Sequence, residues 1–324
     1  MIVAQDGSGD YYSVQEALTS IPTHNTLPVI IYIKNGTYTE KLYIETPNIT
    51  LIGENVHKTI ITYDDSAFKP HPSGFTFGTF NSYTLFIGAP HFNACNLTFI
   101  NSAGPGDKVG QAIAAYVDAD KIHFKNCRFI GHQDTLFTGP LPPSPLTPGS
   151  FRGPRENAPL SKGRHYYENC FIQGDIDFIF GSATAFFDQC EIFSNNLGQQ
   201  VNGYITAAST PVDQKYGYVF SKCKLTSNCP NQSVYLGRPW RHHAHVAFLN
   251  CEMGAHIIDE GWHDWDKADS HQTVQFMEYN NTGAGASNLS RVPWSNQLSA
   301  KDAETYSREK VLSGDDHWQP WLYK

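Results

Sequence analysis

Residues 121–130 read KIHFKNCRFI, and a pattern in this stretch returns along the whole chain. The pattern is an aromatic residue, two further residues, Cys, one residue and a large apolar residue. It occurs six times, with its cysteine at positions 95, 127, 170, 190, 223 and 251. A repeat of this length is typical of a solenoid of stacked structural units.

The repeated unit predicts strands. Its segments are short runs of β-branched and aromatic residues broken by Gly, Asn and Asp, with almost no helical periodicity. The aromatic residue, the cysteine and the final apolar residue of the pattern cannot all point to the same side of one regular strand, so a bend must fall inside each unit. We therefore predict an all-β parallel β-helix with the cysteines stacked inside as small buried hydrophobic residues. Disulfides fit less well, because equivalent positions lie on adjacent parallel strands and point the same way.

The two ends differ from the middle. Ser13 and Glu16 form a capping-box pattern, which predicts a short helix that caps the open end of the solenoid. The repeat stops near residue 255, and the remaining chain holds five of the six tryptophans. We predict one domain over residues 1–324, with the solenoid over about 25–255 and a segment over about 256–324 packed along its outside.

Composition excludes some classes of function. A formal net charge of −8 and a pI near 5.9 argue against a nucleic-acid partner. The chain has no run of eighteen apolar residues, so no membrane span is predicted. It starts MIVAQDGSG, without a signal-peptide pattern. This start fits a cytoplasmic protein, or a secreted one from which a signal peptide has been removed, and the sequence does not separate the two.

Two carboxylates stand in equivalent positions of neighbouring coils. GHQDTLF (131–137) contains Asp134, and QGDIDFIFG (173–181) contains Asp177. Their separation of 43 residues equals that between Cys127 and Cys170. Two carboxylates one coil apart do not easily ionise together, so the pKa of one should rise. Such a separation of pKa values suits a general acid and a nucleophile.

These motifs carry a resemblance to a known family. GHQDTLF, GDIDFIFG and LGRPW (236–240), in this order, resemble the signatures of the pectin methylesterases, which are carbohydrate esterases. GTYTEK (36–41), NLTFINSAG (96–104) and GQAIA (110–114) extend the likeness over roughly the whole chain. The chain resembles the bacterial type, with a long proline-rich insertion between the two aspartates. The resemblance implies a right-handed parallel β-helix and hydrolysis of the C6 methyl esters of galacturonate units to methanol and free carboxylate.

The resemblance also implies residue roles. Asp177 is expected to be the nucleophile, and Asp134 the general acid that then becomes the general base. Gln111 and Gln133 are expected to donate hydrogen bonds to the tetrahedral oxyanion. Arg238 is expected to hold Asp177 ionised and oriented, a task that suits a planar guanidinium better than an ammonium group.

Substrate contacts follow from the same resemblance. Trp240, Phe180 and Phe137 are expected as sugar platforms, and Thr84 as a possible substrate contact. The family chemistry needs no cofactor and no metal, and HHAH (242–245) is interpreted as a polar edge. The expected partner is methylesterified pectin or oligogalacturonides, and a monomer is expected.

Two positions and one segment depart from the family pattern. Many members carry a neutral residue at Asp175, which we expect to be solvated or, as the second choice, to bind sugar hydroxyls. Members often have Tyr at His132, so an aromatic sugar contact is expected to be altered there. The proline-rich segment 140–164 is interpreted as a long loop, with a surface insertion as the alternative to a functional role. Our hypothesis is that it forms a wall of the cleft and that its cations bind freed galacturonate carboxylates.

Two other functions stay open at this point. A pectate lyase or polygalacturonase would use its carboxylates for calcium or to flank a glycosidic bond. A non-catalytic polysaccharide-binding solenoid would not need this set of catalytic groups. The paired glutamines and the arginine of GRPW favour ester chemistry.

Overall fold

The computed structural model of the protein describes residues 1–322, and its strands are stacked in three parallel sheets. The eleven-stranded sheet contains Ile2–Val3, Val29–Ile33, Ile49–Gly53, Phe92–Cys95, Ile122–Lys125, Arg164–Glu168, Thr184–Asp188, Tyr218–Ser221, His245–Leu249, Gln275–Tyr279 and Asn296–Gln297. The eight-stranded sheet contains Gly36–Thr39, Thr59–Tyr63, Thr98–Asn101, Arg128–Ile130, Phe171–Gly174, Glu191–Ser194, Lys224–Ser227 and Glu252–Met253. The seven-stranded sheet contains Leu42–Ile44, Leu85–Ile87, Ala115–Val117, Leu136–Thr138, Ile176–Gly181, Gly203–Ala208 and Val234–Pro239.

From Val29–Ile33 to Gln275–Tyr279, successive strands of the chain belong to different sheets, and each strand pairs with its equivalent one coil away. The fold is therefore a right-handed parallel β-helix, as predicted. The helices among the described residues are short. They are the α-helices Val14–Thr19, Gly106–Val109, Ala300–Ala303 and Arg308–Leu312 and the 3₁₀ helices Thr79–Asn81, Ala268–Gln272, Glu304–Tyr306 and Pro320–Leu322. None of these helices has the length and apolar character needed to cross a membrane.

In five of the six copies, the predicted bend lies at the residue before the repeat cysteine, with φ between 50° and 55°. In the first copy it lies after the cysteine, at Asn96 with φ 57°, and Cys95 pairs with Lys125 and not with Cys127. All six bend residues are in the left-handed region. Four of the six are asparagines, which tolerate this conformation better than most residues. The bend turns the chain from the eleven-stranded sheet into the eight-stranded sheet, which explains why strand parity fails inside the motif.

Stacked side chains fill the interior. The aromatic residue of the motif forms a continuous ladder with ring centroids 4.4–5.4 Å apart, made by Phe124, Tyr167, Phe187, Phe220 and Phe248. Five of the six repeat cysteines are buried, while Cys95 is partly exposed. All seven cysteines are free thiols. The core thus depends on the same positions from which the fold was predicted.

The N-terminal helix caps the first coil. The Ser13 side chain accepts a hydrogen bond from the Glu16 backbone N–H, and Val14, Ala17 and Leu18 are buried against the core. This arrangement confirms the predicted capping helix.

The C-terminal boundary of the solenoid was predicted too early. Strand Gln275–Tyr279 pairs with His245–Leu249 and adds a coil beyond residue 255. The motif misses this coil because Glu278 takes the aromatic position, opposite Phe248, and pairs with Arg291 at 2.9 Å.

The tryptophans of the C-terminal segment do not all lie outside. Trp262 is buried in the core and stacks on Phe276 with ring centroids 4.3 Å apart. Trp318 does pack on the outer face of the eleven-stranded sheet, in a cluster with Tyr166 and Leu312. The outside position predicted for the segment therefore applies to its last part.

Candidate active site

A cavity of about 250 Å³ opens over the seven-stranded sheet and gathers the predicted polar residues. All five predicted catalytic residues line it: Gln111, Gln133, Asp134, Asp177 and Arg238. They come from four coils within a run of five, since the coil of Gly203–Ala208 lies between those of Asp177 and Arg238, and they are as far as 127 residues apart in sequence, from 111 to 238. Stacking of the coils brings them together.

Asp177 and Arg238 form a two-point ion pair. Arg238 Nε donates to Asp177 Oδ1 at 2.8 Å, and Arg238 Nη2 donates to Asp177 Oδ2 at 2.7 Å. The Asp177 side chain is 7% exposed and that of Arg238 is 14% exposed. This geometry is the strongest that a guanidinium and a carboxylate make.

Aromatic rings hold the guanidinium in place. The guanidinium carbon of Arg238 lies 3.8 Å from the ring centroid of Tyr204 and 3.7 Å from that of Trp265. Cation–π contacts on both faces restrict the group to the plane in which it meets Asp177. Tyr204 and Trp265 are therefore part of the site, although the sequence did not single them out.

The backbone aims both aspartates. Asp134 has φ 65° and Asp177 has φ 53°, so both adopt the left-handed conformation that non-glycine residues rarely take. Between Ile176 and Ile179, the pairing with the next strand shifts register, which places Asp177 in a β-bulge. Bulges redirect side chains and are frequent beside active sites.

Charge is divided unequally between the two carboxyl groups. Burial raises the pKa of Asp177, and the Arg238 guanidinium lowers that pKa part of the way back. Burial raises the pKa of Asp134 well above its usual value, and the negative charge of Asp177 raises it further. The structure therefore favours an ionised Asp177 beside a protonated Asp134.

Asp134→Asn is expected to make the fold more stable at neutral pH. The folded-state pKa of Asp134 is raised above its unfolded value of about 3.9, so the native state binds the extra proton. Stability is then lost as pH rises from about 4 through the folded pKa. Asn does not titrate, and we expect a gain on the order of 1 kcal/mol or more at pH 7.

Thermal unfolding across pH measures this effect. Asp213→Asn is the matched control, because Asp213 is exposed and pairs with Lys162 at the surface. If the melting temperatures of Asp134→Asn and of the wild type, plotted against pH, differed by the same amount at every pH, the raised pKa of Asp134 would be contradicted.

The two glutamines lie beside the carboxyl groups. Gln111 and Gln133 are partly buried cavity residues. Gly106 packs against Gln133 so closely that an added Cβ would lie 2.4 Å from Gln133 Oε1. Glycine at 106 therefore leaves the room that the amide occupies.

Two of the predicted substrate contacts line the cavity, and two are buried away from it. Phe180 and Trp240 line the cavity. Phe137 is fully buried below Phe80 and Phe180, so its ring cannot serve as a sugar platform. Thr84 is also fully buried, and its hydroxyl donates to the Ile100 carbonyl at 2.9 Å.

Other residues take these places in the cavity lining. Thr79 and Phe80 come from the short helix Thr79–Asn81, Phe151 comes from the proline-rich segment, and Trp265 follows the last repeat. All four lie in segments without a periodic sequence pattern. The dense run of aromatic residues in FTFGTF (75–80) was the available signal for Phe80.

Asp175 is buried, which corrects the expectation that it is solvated. Its Oδ2 lies 2.8 Å from His132 Nδ1, and its side chain has 0% exposure. Its Oδ1 accepts from the Ile176 backbone N–H at 2.8 Å. The two departures from the family pattern therefore contact each other, one coil apart and two residues before Asp134 and Asp177.

His132→Ala is expected to lower the free energy of unfolding by about 1–3 kcal/mol, because it leaves the buried Asp175 carboxylate without its side-chain partner. The matched control is His242→Ala. His242 and Asp269 lie 2.9 Å apart but are 49% and 76% exposed, so their loss should cost less than about 1 kcal/mol. Urea unfolding of both variants measures the difference, and equal losses would contradict the structural role of the buried pair.

The proline-rich segment 140–164 forms part of the cavity wall through Leu146, Thr147, Ser150 and Phe151. Most of its cations do not face the cavity as our hypothesis expected. Three of the four pair with aspartates at 2.6–3.0 Å: Arg155 with Asp118, Lys162 with Asp213, and Arg164 with Asp120 and Asp316. These three are engaged in holding the segment to the solenoid.

The histidines of HHAH are occupied separately. His242 contacts Asp269, whereas His245 is buried and contacts the Tyr306 hydroxyl at 3.0 Å. Within residues 1–322, no group of three or more His, Cys, Asp or Glu side chains is arranged to hold a metal ion.

The cavity holds an ionised carboxylate paired with arginine, a protonated carboxyl group and two neutral amides. A carboxylic ester hydrolase with an aspartate nucleophile needs these groups. The comparison with known families agrees with this class. The model of the family described as pectinesterase matches residues 1–140 and 155–315, and the chain belongs to this family. Residues 141–154 of the proline-rich segment fall outside the match.

Relatives of known name cover nearly the whole chain. Pectinesterase 31 of Arabidopsis thaliana is 35% identical over 327 residues, which span 99% of this chain and 94% of that protein. The solved pectin methylesterase from carrot superposes with a TM-score of 0.83 at 29% identity, covering 99% of this chain and 94% of its own. Pectin methylesterase PemA from Erwinia chrysanthemi superposes with a TM-score of 0.81 at 30% identity, and the match covers 98% of this chain and 97% of PemA. These likenesses confirm the predicted family and fold.

Proposed function

We propose that this protein is a pectin methylesterase, which hydrolyses C6 methyl esters of homogalacturonan to methanol and free galacturonate. The observation that carries this proposal is that Asp177, paired with Arg238, shares one cavity with Asp134, whose pKa is raised. Membership of the pectinesterase family supports the substrate class. A solved pectin methylesterase in complex with a hexasaccharide is 31% identical to this chain and has a TM-score of 0.82.

In the first step Asp177 attacks the ester carbonyl carbon. The carbonyl oxygen becomes an oxyanion, and the side-chain amides of Gln111 and Gln133 donate hydrogen bonds to it. Collapse of this intermediate breaks the bond to the methoxy group, and Asp134 gives its proton to the leaving methanol. The product is an anhydride between Asp177 and the galacturonate carboxyl group.

In the second step water opens the anhydride. Asp134, now ionised, removes a proton from water as the oxygen attacks the galacturonyl carbon, and the same two amides receive the oxyanion. Collapse releases the galacturonic acid unit, which loses its proton to solvent, and returns Asp177 to its carboxylate form beside Arg238. Asp134 is protonated again, so the cycle consumes one water for each methanol.

The aromatic lining is suited to sugar rings. Trp240 and Phe180 are the platforms we propose from the original set, with Phe80 and Trp265 beside them. Aromatic side chains offer apolar faces of the right size for the CH faces of a pyranose. We therefore place the ester-bearing unit between these rings and the two aspartates.

We also propose that residues 1–324 act as one domain, and that the protein is a monomer of the bacterial type. The proline-rich segment between Asp134 and Asp177 supports the type. The continuity of the eleven-stranded sheet from Ile2–Val3 to Asn296–Gln297 supports one domain. Methylesterified pectin or oligogalacturonides are the proposed partner, with no role for nucleic acid or membrane.

Methanol release and chain length, measured together, test the function. Highly methylated pectin and short methylated oligogalacturonides should both release methanol without shortening of the chain. Shortening of the chain without methanol would instead support a lyase or glycosidase. Neither reaction would support a binding solenoid.

A further inference from the structure

Arg241 is a cation of the cavity that has no partner of opposite charge. It follows Trp240 directly and lines the cavity together with Asp177 and Arg238. Its side chain is partly buried. Arg238, by contrast, is neutralised by Asp177.

All contacts of the Arg241 guanidinium are with neutral groups. Its Nη1 donates to the Trp240 carbonyl at 3.0 Å, and its Nη2 donates to the Ser144 carbonyl at 3.1 Å. It lies 5.0 Å from the Trp240 ring centroid. Among residues 1–322 no carboxylate forms an ion pair with it, and burial is the one influence acting on its pKa. Of its five N–H groups, these bonds use two, so three are left for a ligand.

The surroundings keep this charge available. Burial lowers the pKa of Arg241, but a guanidinium starts so high that it stays charged at neutral pH. Lys267 Nζ donates to the same Trp240 carbonyl at 3.3 Å and adds a second cation nearby. A partly buried charge without a counter-ion is costly, which is the situation that an anionic ligand relieves.

There is room for a further sugar unit on the far side of Arg241. A second cavity of about 600 Å³ begins there, between the proline-rich segment and the loops after the seven-stranded sheet. Arg241 lines both cavities, and Pro142, Pro143 and His242 line the second. This volume lies in the range of ligand sites.

The chemistry of the substrate indicates the anion. Each turnover leaves a galacturonate carboxylate, and a chain of these is a polyanion approaching a protein of net charge −8. Such a ligand needs a local cation, and a planar guanidinium matches a carboxylate at two points. Resting on the proposed function, we propose that Arg241 is a subsite for the free carboxylate of a de-esterified galacturonate unit next to the ester being hydrolysed.

The proline-rich segment builds this subsite. Ser144 belongs to residues 141–154, which the family match leaves out, and its carbonyl holds one edge of the guanidinium. The segment therefore contributes to carboxylate binding through its backbone, whereas its own paired cations do not.

Two measurements test the subsite. The first is the ratio of kcat/KM for partly de-esterified over fully methylated oligogalacturonides of equal length. We expect Arg241→Gln to lower this ratio about tenfold or more, and Arg241→Lys to lower it less. The second is the Kd of fully de-esterified hexagalacturonate, which we expect to rise by a similar factor in Arg241→Gln.

Arg128→Gln is the matched control. Arg128 also stacks on an aromatic ring, 4.8 Å from Phe171, and has no carboxylate within 4 Å in the described chain, but it lies outside both cavities. It should behave as wild type. An unchanged ratio and Kd in an Arg241→Gln protein with wild-type thermal unfolding would overturn the subsite. Wild type that binds hexagalacturonate but releases no methanol would instead overturn the proposed function.

Discussion

Asp177→Ala is expected to reduce methanol release by at least about 10⁴-fold in kcat, because it removes the proposed nucleophile. No other described carboxylate is held by Arg238, so no group can take over the attack. Asp134 does not replace it, since burial, the largest cause of the raised pKa of Asp134, remains in the variant. Methanol release under substrate saturation measures kcat directly.

The Asp177→Ala variant must be shown to fold, so that the loss of activity can be assigned to the nucleophile. The variant leaves Arg238 without its counter-ion but still between Tyr204 and Trp265, so thermal unfolding and circular dichroism should report an intact β-helix. Asp213→Asn, an exposed surface change, serves as the activity control. Retention of more than about a hundredth of the wild-type kcat in Asp177→Ala would mean that another group is the nucleophile.

Arg238→Met is expected to reduce kcat/KM by about 10²–10⁴-fold at neutral pH and to shift the acid limb of the pH profile to higher pH. The size follows from the cost of leaving a buried charge unpaired, about 3–5 kcal/mol. The direction follows from the pKa of Asp177. Arg238 lowers that pKa, so its removal raises it, and a higher pH is needed to ionise the nucleophile. A profile of kcat/KM against pH measures both effects.

Arg155→Met separates this role from stability. Arg155 pairs with Asp118 at 3.0 Å, with side-chain exposures of 18% and 3%, and lies outside the cavity. It should destabilise the fold and leave the position of the acid limb unchanged. An Arg238→Met profile with the acid limb of the wild type would show that Arg238 does not tune Asp177.

Much of the fold was readable from the sequence, because a solenoid repeats its local environment. Five successive coils, from Phe124 to Cys251, place an aromatic ring and a cysteine in equivalent interior positions, so the pattern KIHFKNCRFI recurs and predicts both the strands and the bend between them. Equal spacing of Asp134 and Asp177 with Cys127 and Cys170 then predicted that the two aspartates are neighbours. The last coil escaped prediction because Glu278 replaces the aromatic residue there.

The surroundings of each site residue depended on tertiary structure. In a regular strand Asp175 and Asp177 would lie on the same face. The left-handed Asp177 in a β-bulge breaks that alternation, and Asp175 contacts His132. Segments without a periodic sequence pattern bring Phe80, Phe151 and Trp265 into the cavity, and Phe137 lies buried below it. Spacing along a chain determines which residues share a coil. Which charges pair and which rings face solvent is decided by contacts between distant segments, since burial and Coulomb interactions depend on distance in space.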